Sequence, residues 1–241
     1  MQQQRVLLLI PTLNERESIS ILIMRLEKVD RNFDILIVDD NSKDGTGEIV
    51  KKSALKSTKD IYLLERKNPK DGIAGAYYEG YLWGLDRSYS YILQMDADGQ
   101  HNPGDLPKII DSLISGEEMV IGSRYCPGGQ IEGWSKYRLF ISQLGNLYFR
   151  ILFGSSIRDC TGGFKGFHDQ VLTAMWQTRP TARGFTFHAE TTLRALRSEI
   201  KICEVPITFS SREKGDSKMS LKSGIESILL MSRWRLQQKG H

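Results

Sequence analysis

The chain has three cysteines, Cys126, Cys160 and Cys203; they are odd in number, widely spaced and form no CxxC pair. This excludes a disulfide framework, gives no support to a zinc centre, and points to free thiols in a reducing compartment. No apolar run approaches the ~20 residues that a bilayer span requires. The opening stretch has only the run Val6–Ile10 before proline and charge intervene, so it reads as a first strand and not as a signal peptide. GxGxxG is missing after that strand, which removes an NAD-dependent oxidoreductase. The same turn, PTLNERES, has no glycine, whereas a sugar nucleotidyltransferase would carry a glycine-rich basic loop there. Zinc-finger and RNP motifs are absent too, so no nucleic acid is expected as a partner. No internal repeat or low-complexity linker divides the sequence. We expect one domain over residues 1–241, cytoplasmic and without a span of its own.

The composition is that of an ordinary globular protein, 40% hydrophobic and 26% charged. The net charge of +4 is not spread evenly. Residues 211–241 hold seven Lys/Arg against three Asp/Glu, which leaves the rest of the chain neutral. A basic tail suits anionic partners such as phosphates or an anionic membrane surface.

The first half alternates strand and helix patterns. Strands are expected at Arg5–Ile10, Asp34–Val38, Ile61–Leu64, Tyr91–Met95 and Met119–Ile121. Helices are expected at Glu17–Val29, Gly45–Leu55, Gly72–Leu85 and Asp105–Ile114. Continuous apolar strands joined by helices predict an α/β fold with a mostly parallel sheet covered on both faces. Ligands bind such sheets at the carboxyl ends of the strands. After Gly122 the pattern predicts a long helix over Trp134–Phe153, a glycine-rich turn, a helix near His188–Ser198 and a strand near Ile202–Phe209. Arg138, Ser142 and Asn146 recur every four residues on the long helix and form one polar stripe. The end, Leu221–Leu236, reads as a basic amphipathic segment. It serves as a membrane-surface contact with Trp234 at the headgroup level, or packs on the core.

Three polar clusters fall at the expected strand ends. Asp96-x-Asp98 follows a buried strand directly, and two carboxylates one residue apart can share a hard cation such as Mg2+ or Mn2+ with phosphate oxygens. The same pair can also serve as a solvated turn with capping aspartates. Asp39-Asp40-Asn41-Ser42 includes a turn and a helix start, but Asp40 at the strand end is free to accept hydrogen bonds from a base or ribose. In Pro11-Thr12-Leu13-Asn14-Glu15, Asn14 reads as a helix cap, and Glu15 is available to the nucleoside. Tyr77, Tyr78, Tyr81 and Trp83 read as packing for a surface helix. His188 is more readily a core histidine than a functional one.

PTLNERESI, ILIVDDNSKDGT, GIAGAYYEGYLWGL, MDADGQH, IGSRY, GGFKGF, EVPITF and SREKGDSKMS together resemble the inverting family 2 glycosyltransferases of the GT-A fold. Within them, the dolichol-phosphate (polyprenol-phosphate) mannose synthases are most similar, along nearly the whole chain. The resemblance implies roles at matching positions. Pro11, Leu13, Glu15, Val38 and Asp40 would line the nucleoside pocket, and Asp96, Ala97, Asp98 and Gln100 would hold the metal and diphosphate. Arg124, Arg212 and Lys218 would contact phosphates, and Arg138 and Ser142 would receive the lipid phosphate. Leu13 replaces a tyrosine common in the family, which removes a stacking contact with the base. GDP-mannose and a polyprenyl or dolichyl phosphate are the implied substrates. UDP-glucose is the alternative donor, and the need for a separate membrane-anchoring subunit stays open. A non-catalytic membrane-surface adaptor would leave the strand-end acids without a role.

Overall fold

β1 (Val6–Thr12) is buried at every residue, as a strand covered on both faces must be. The computed structural model describes residues 4–67, 69–211 and 221–238. β2 (Asp34–Asp39), β3 (Ile61–Glu65) and β4 (Tyr91–Gln94) alternate with α1 (Arg16–Leu26), α2 (Thr46–Ala54) and α3 (Gly72–Asp86). α4 (Leu106–Ile114) leads to β5 (Met119–Ser123), β6 (Gln130–Glu132) and α5 (Lys136–Phe153). Then follow β7 (Lys165–His168), α6 (Asp169–Met175), α7 (Thr186–Arg197), β8 (Ile202–Pro206), β9 (Thr208–Ser210) and α8 (Leu221–Gln238).

The main sheet has the order β3-β2-β1-β4-β7-β5-β8. Its neighbours are parallel except β7, which runs antiparallel to both β4 and β5. Alternation along the strands divides the core in two. Leu7, Leu9 and Val38 face α3 and the later helices through Tyr77, Phe149, Phe187 and Met231. Leu8, Ile10 and Ile37 face α1, α2 and α4 through Leu22, Val50 and Ile110.

The α/β expectation holds, with several corrections. The stretch expected as one strand over Ile202–Phe209 is two. It breaks after Pro206, and β9 leaves the main sheet to pair with β6. β6, β7 and α6 were not expected at all. The long helix starts at Lys136, not Trp134, because Ser135 caps it by accepting the Arg138 N–H at 3.2 Å. α3 packs on the sheet through its aromatics, as read from the sequence, and keeps an outer side on which Leu82 is 44% exposed. Tyr77 and Tyr81 are fully buried, and its glycines let it lie close on the sheet: a Cβ at Gly80 would meet the Leu9 side chain at 2.3 Å. Trp234 does not reach a headgroup layer. It is 4% exposed, and its indole N–H donates to Thr181 Oγ1 at 3.1 Å. α8 therefore packs on the domain. No described helix is long and apolar enough to cross a membrane.

Candidate active site

β1, β2 and β4 end side by side, with Thr12 opposite Asp39 and Leu9 opposite Gln94. At that edge a cleft of about 220 Å³ is lined by Pro11, Leu13, Glu15, Asp40, Asp96, Ala97 and Asp98. Seven of the residues expected at the donor site thus share one cavity. Val38 lies below it, with its side chain wholly in the core. Gly72 and Ile73, the first residues of GIAGAYYEGYLWGL, complete the wall with the segment Arg183–Phe185.

The loops at the edge are tied to one another. Asn14 is not a helix cap. It adopts φ 53°, its N–H donates to Ser42 Oγ at 2.8 Å, and its Oδ1 accepts from the Lys43 N–H at 2.9 Å. Asp39 accepts from Ser42 Oγ at 2.6 Å and Thr12 Oγ1 at 3.0 Å. Asp40 is held by the buried Arg66, whose Nη1 donates to Asp40 Oδ1 at 2.6 Å. Arg66 also reaches Asp71 and the Gly72 carbonyl, so one guanidinium joins the end of β2 to the start of α3. Gly72 has φ +59°, and a Cβ there would stand 2.9 Å from the Arg183 carbonyl oxygen, so glycine is required on both counts.

Asp96 and Asp98 form the opposite lip. The Tyr77 hydroxyl donates to Asp96 Oδ1 at 2.7 Å, and Asp98 Oδ1 accepts from the Gln100 N–H at 3.1 Å. Gln100 is buried, and its Nε2 donates to the Ser210 carbonyl at 3.0 Å, so its side-chain oxygen is the atom suited to a cation. Among the described residues no three acidic, imidazole or thiol groups converge into a closed metal cage. The two carboxylates on the cleft fit Mg2+ or Mn2+, which take hard oxygen ligands and commonly share them with substrate phosphates, while Gln100 stands outside the cleft lining. The backbone leaves room for this: a Cβ at Gly163 would come within 2.6 Å of Asp96 Oδ2.

Behind this lip lie buried groups that drew little attention in the sequence. Lys165 on β7 donates to the His188 carbonyl and, at 2.9 Å, to Thr192 Oγ1. Burial lowers its pKa to about 7. Burial, reinforced by the charges of Lys165 and Arg124, lowers His188 to about 3 and keeps its ring neutral.

Arg124 does not line the cleft. Its Nε and Nη2 each donate at 2.7 Å to the two oxygens of the fully buried Asp159, whose Oδ2 also accepts the Arg124 backbone N–H at 2.9 Å. Its Cζ lies 5.7 Å from the Trp134 ring centroid, while that of Arg138 lies 3.9 Å from the same ring. Ser142 Oγ accepts from the Tyr125 hydroxyl at 2.7 Å. The stripe Arg138–Ser142–Asn146 therefore faces the segment around Arg124. Asn146, its third member, is structural, since its Oδ1 accepts the Cys160 N–H at 2.8 Å. Arg212 and Lys218 fall outside the described residues.

Tyr77 and His188, which read from the sequence as packing and as a core histidine, stand beside Asp96 together with Gly163. A signal was present for Tyr77: it and Tyr81 stand four apart among small residues, so both face the sheet.

Residues 8–176 match the family described as Glycosyl transferase family 2. The chain is 38% identical to a polyprenol monophosphomannose synthase of Mycolicibacterium smegmatis, over 97% of this chain and 88% of that one. It is 40% identical to an undecaprenyl-phosphate mannosyltransferase of Micrococcus luteus, over 96% and 94%. A dolichol-phosphate mannosyltransferase of Pyrococcus furiosus is 34% identical over 93% of this chain and 62% of its own length. In fold, the chain is similar to glucosyl-3-phosphoglycerate synthase from Mycobacterium tuberculosis, solved with Mn2+, UDP and glucosyl-3-phosphoglycerate. The TM-score is 0.67 at 17% identity, covering 96% of this chain and 80% of that one. From the strand-end acids, the mostly parallel sheet and the match over residues 8–176, the chain belongs to glycosyl transferase family 2.

Proposed function

We propose that this protein moves mannose from GDP-mannose to a polyprenyl (dolichyl-type) phosphate at a membrane surface, with inversion at the anomeric carbon. The observation that carries the reading is the similarity, along nearly the whole chain, to two enzymes named for mannosyl transfer to polyprenyl phosphates. Pro11, Leu13, Glu15 and Asp40 hold the nucleoside, with Val38 forming the floor. Asp96 and Asp98 hold Mg2+ or Mn2+, which when bound would offset the charge of the leaving diphosphate. Arg212 and Lys218 act on the phosphates, whereas Arg124, with Nε and Nη2 both held by the buried Asp159, braces the segment beside Arg138.

The chemistry asks little of a general base. A phosphate monoester has a second pKa near ~6, so the acceptor is already an anion at neutral pH. What remains is positioning. Arg138 and Ser142 bind the lipid phosphate and aim one of its oxygens at the anomeric carbon, on the side away from the diphosphate. A direct displacement then turns an α-linked donor into a β-linked product.

The test is a donor screen with a short polyprenyl phosphate, scoring lipid-linked sugar. GDP-mannose is expected to give product, and product only from UDP-glucose would replace the donor. In the same assay Arg138→Ala is expected to lower kcat/KM for the lipid phosphate by about 10- to 100-fold, roughly 1.4–3 kcal/mol. The KM for the sugar nucleotide should change little. Loss confined to the nucleotide would move Arg138 to the donor side.

A membrane contact follows from the substrate, and two adjacent helices supply it. On α5, Phe140 and Ile151 are 60% and 75% exposed, and on α8 Leu229 is 64% exposed. The helices are joined by Tyr148 and Ser232, whose hydroxyls lie 2.6 Å apart. Lys136, Arg150 and Arg233 add positive charge, each worth ~1 kcal/mol near an anionic surface. Removing everything after Ser220 would be a poor test, because it strips the buried Met231 and Trp234 from the core. Instead, Phe140→Asp with Leu229→Asp is expected to cut co-sedimentation with anionic liposomes severalfold while melting stays near wild type. Unchanged co-sedimentation would remove this face from the membrane role.

A further inference from the structure

Among the described residues, Tyr77 and His188 both stand where they can donate to Asp96, and of these two Tyr77 does so. The first is Tyr77, whose hydroxyl reaches Asp96 Oδ1 at 2.7 Å. The ring of Tyr77 is fully buried and stacks on Phe187, with centroids 5.4 Å apart and planes 7° from parallel. The second is His188, also buried, whose Nε2 stands 3.8 Å from the same Asp96 oxygen and has no hydrogen-bond partner.

The hydrogen bonds around His188 determine where its proton sits. The Gly163 carbonyl can only accept, so the end of Gln94 facing it at 2.8 Å is the amide nitrogen. The same nitrogen lies 3.3 Å from His188 Nδ1. Its second hydrogen therefore points at Nδ1, which must accept, and the ring proton is on Nε2. The flipped arrangement would set the Gln94 amide oxygen against the Gly163 carbonyl oxygen, so the orientation holds, with the Gln94 oxygen accepting from the Tyr81 hydroxyl. His188 thus presents a buried N–H toward Asp96, slightly too far to bond. A buried donor left unpaired is destabilising, because it has given up its bond to water without replacing it. A shift of less than an ångström by Asp96 would remove that cost.

We propose that His188 is a positioning residue for Asp96: its Nε2–H closes onto Asp96 Oδ1 when the carboxylate turns to take a divalent cation. With Tyr77 it then fixes that oxygen from two sides. Lys165 supports the arrangement by holding the His188 carbonyl, and Gly163 leaves the space in which the carboxylate turns. Groups that orient a ligating carboxylate typically change metal affinity by 10- to 100-fold. The inference rests on the cation-binding reading of Asp96 and Asp98.

The test uses Mn2+ and GDP with the full chain, with bound Mn2+ followed by electron paramagnetic resonance. Wild type is expected to bind; if it does not, the cation reading itself fails. Given binding by wild type, His188→Phe is expected to weaken Mn2+ affinity about tenfold. His188→Gln, which offers an N–H at nearly the same point, should recover affinity to within about threefold. Equal affinity in wild type and His188→Phe would overturn the proposal, as would equal weakness of the two variants. A second measurement needs no variant. In protein labelled with ¹⁵N-histidine, the His188 Nε2–H proton is expected to move downfield when Mg2+ and GDP are added. An unmoved resonance under saturating Mg2+ and GDP would overturn the proposal even if the phenylalanine variant does not fold.

Discussion

Asp98→Ala is expected to reduce sugar transfer by on the order of a thousandfold or more while leaving the fold intact. Asp98 is half-buried at the cleft, and its bond inside the turn is to the Gln100 N–H. Losing one such bond costs about 1 kcal/mol, or roughly 2–4 °C of melting temperature in a chain of this size. The loss of activity should therefore far exceed the loss of stability. Wild type should melt higher in Mn2+ with GDP than alone, since a ligand that binds only the folded state stabilises it. The variant should lose most of that rise. Full wild-type activity in excess chelator would remove the cation from the mechanism.

Asp159→Ala is expected to have the largest effect on stability, about 3–5 kcal/mol, because it leaves the Arg124 charge buried without its partner. At roughly 2–4 °C per kcal/mol the melting temperature should fall by about 6–20 °C. Replacing both residues, Arg124→Met with Asp159→Leu, should recover part of the loss. Recovery will be incomplete, because Asp159 also accepts the Arg124 backbone N–H. The pair has a pH signature too. Burial alone would raise the Asp159 pKa, but the Arg124 charge and hydrogen bonds prevail and hold it below the usual carboxylate range. A carboxyl with a depressed folded pKa binds more protons when unfolded, so its stabilisation is complete above the unfolded pKa of about 3.9 and is lost as pH falls through the folded value. Thermal melts from pH 6 down to pH 2 should show wild type losing stability faster than the double variant. Parallel curves would mean that the pair adds nothing to acid sensitivity.

Much of the fold was legible because its local and global signals agree. β1, β2 and β4 are apolar runs, β2 and β4 leading into acids and β1 into a polar turn with Glu15, and α1, α2 and α4 carry helical periodicity. What escaped notice depends on pairing between distant parts of the chain. β7 is four residues that begin with a lysine. Lys165 is tolerated in the core only because His188 and Thr192, on a later helix, satisfy its ammonium. β6 and β9 are three residues each and become strands only through each other. The site divides in the same way. The acids at strand ends could be read one by one, whereas Tyr77 and His188 look like core aromatics until the fold sets them beside Asp96. Trp234 misled for a related reason: an amphipathic pattern does not say whether its aromatic faces lipid or protein.

The insertion of β7 between β4 and β5 also bears on how the chain is made. β4 emerges during synthesis with β1 as its first neighbour, but its second neighbour follows only after β5, β6 and α5 have been added. Until then the far side of Tyr91–Gln94 is an open edge of unpaired N–H and C=O groups, which invites association with other chains. Contacts between parts so distant in sequence slow folding, so the vulnerable interval is long. The strand that finally seals this edge starts just beyond Phe164, next to Gly163, which packs against Asp96. A nascent chain that has not yet closed its sheet therefore also lacks a finished cation lip, and the end of its exposure to aggregation coincides with the assembly of its active site.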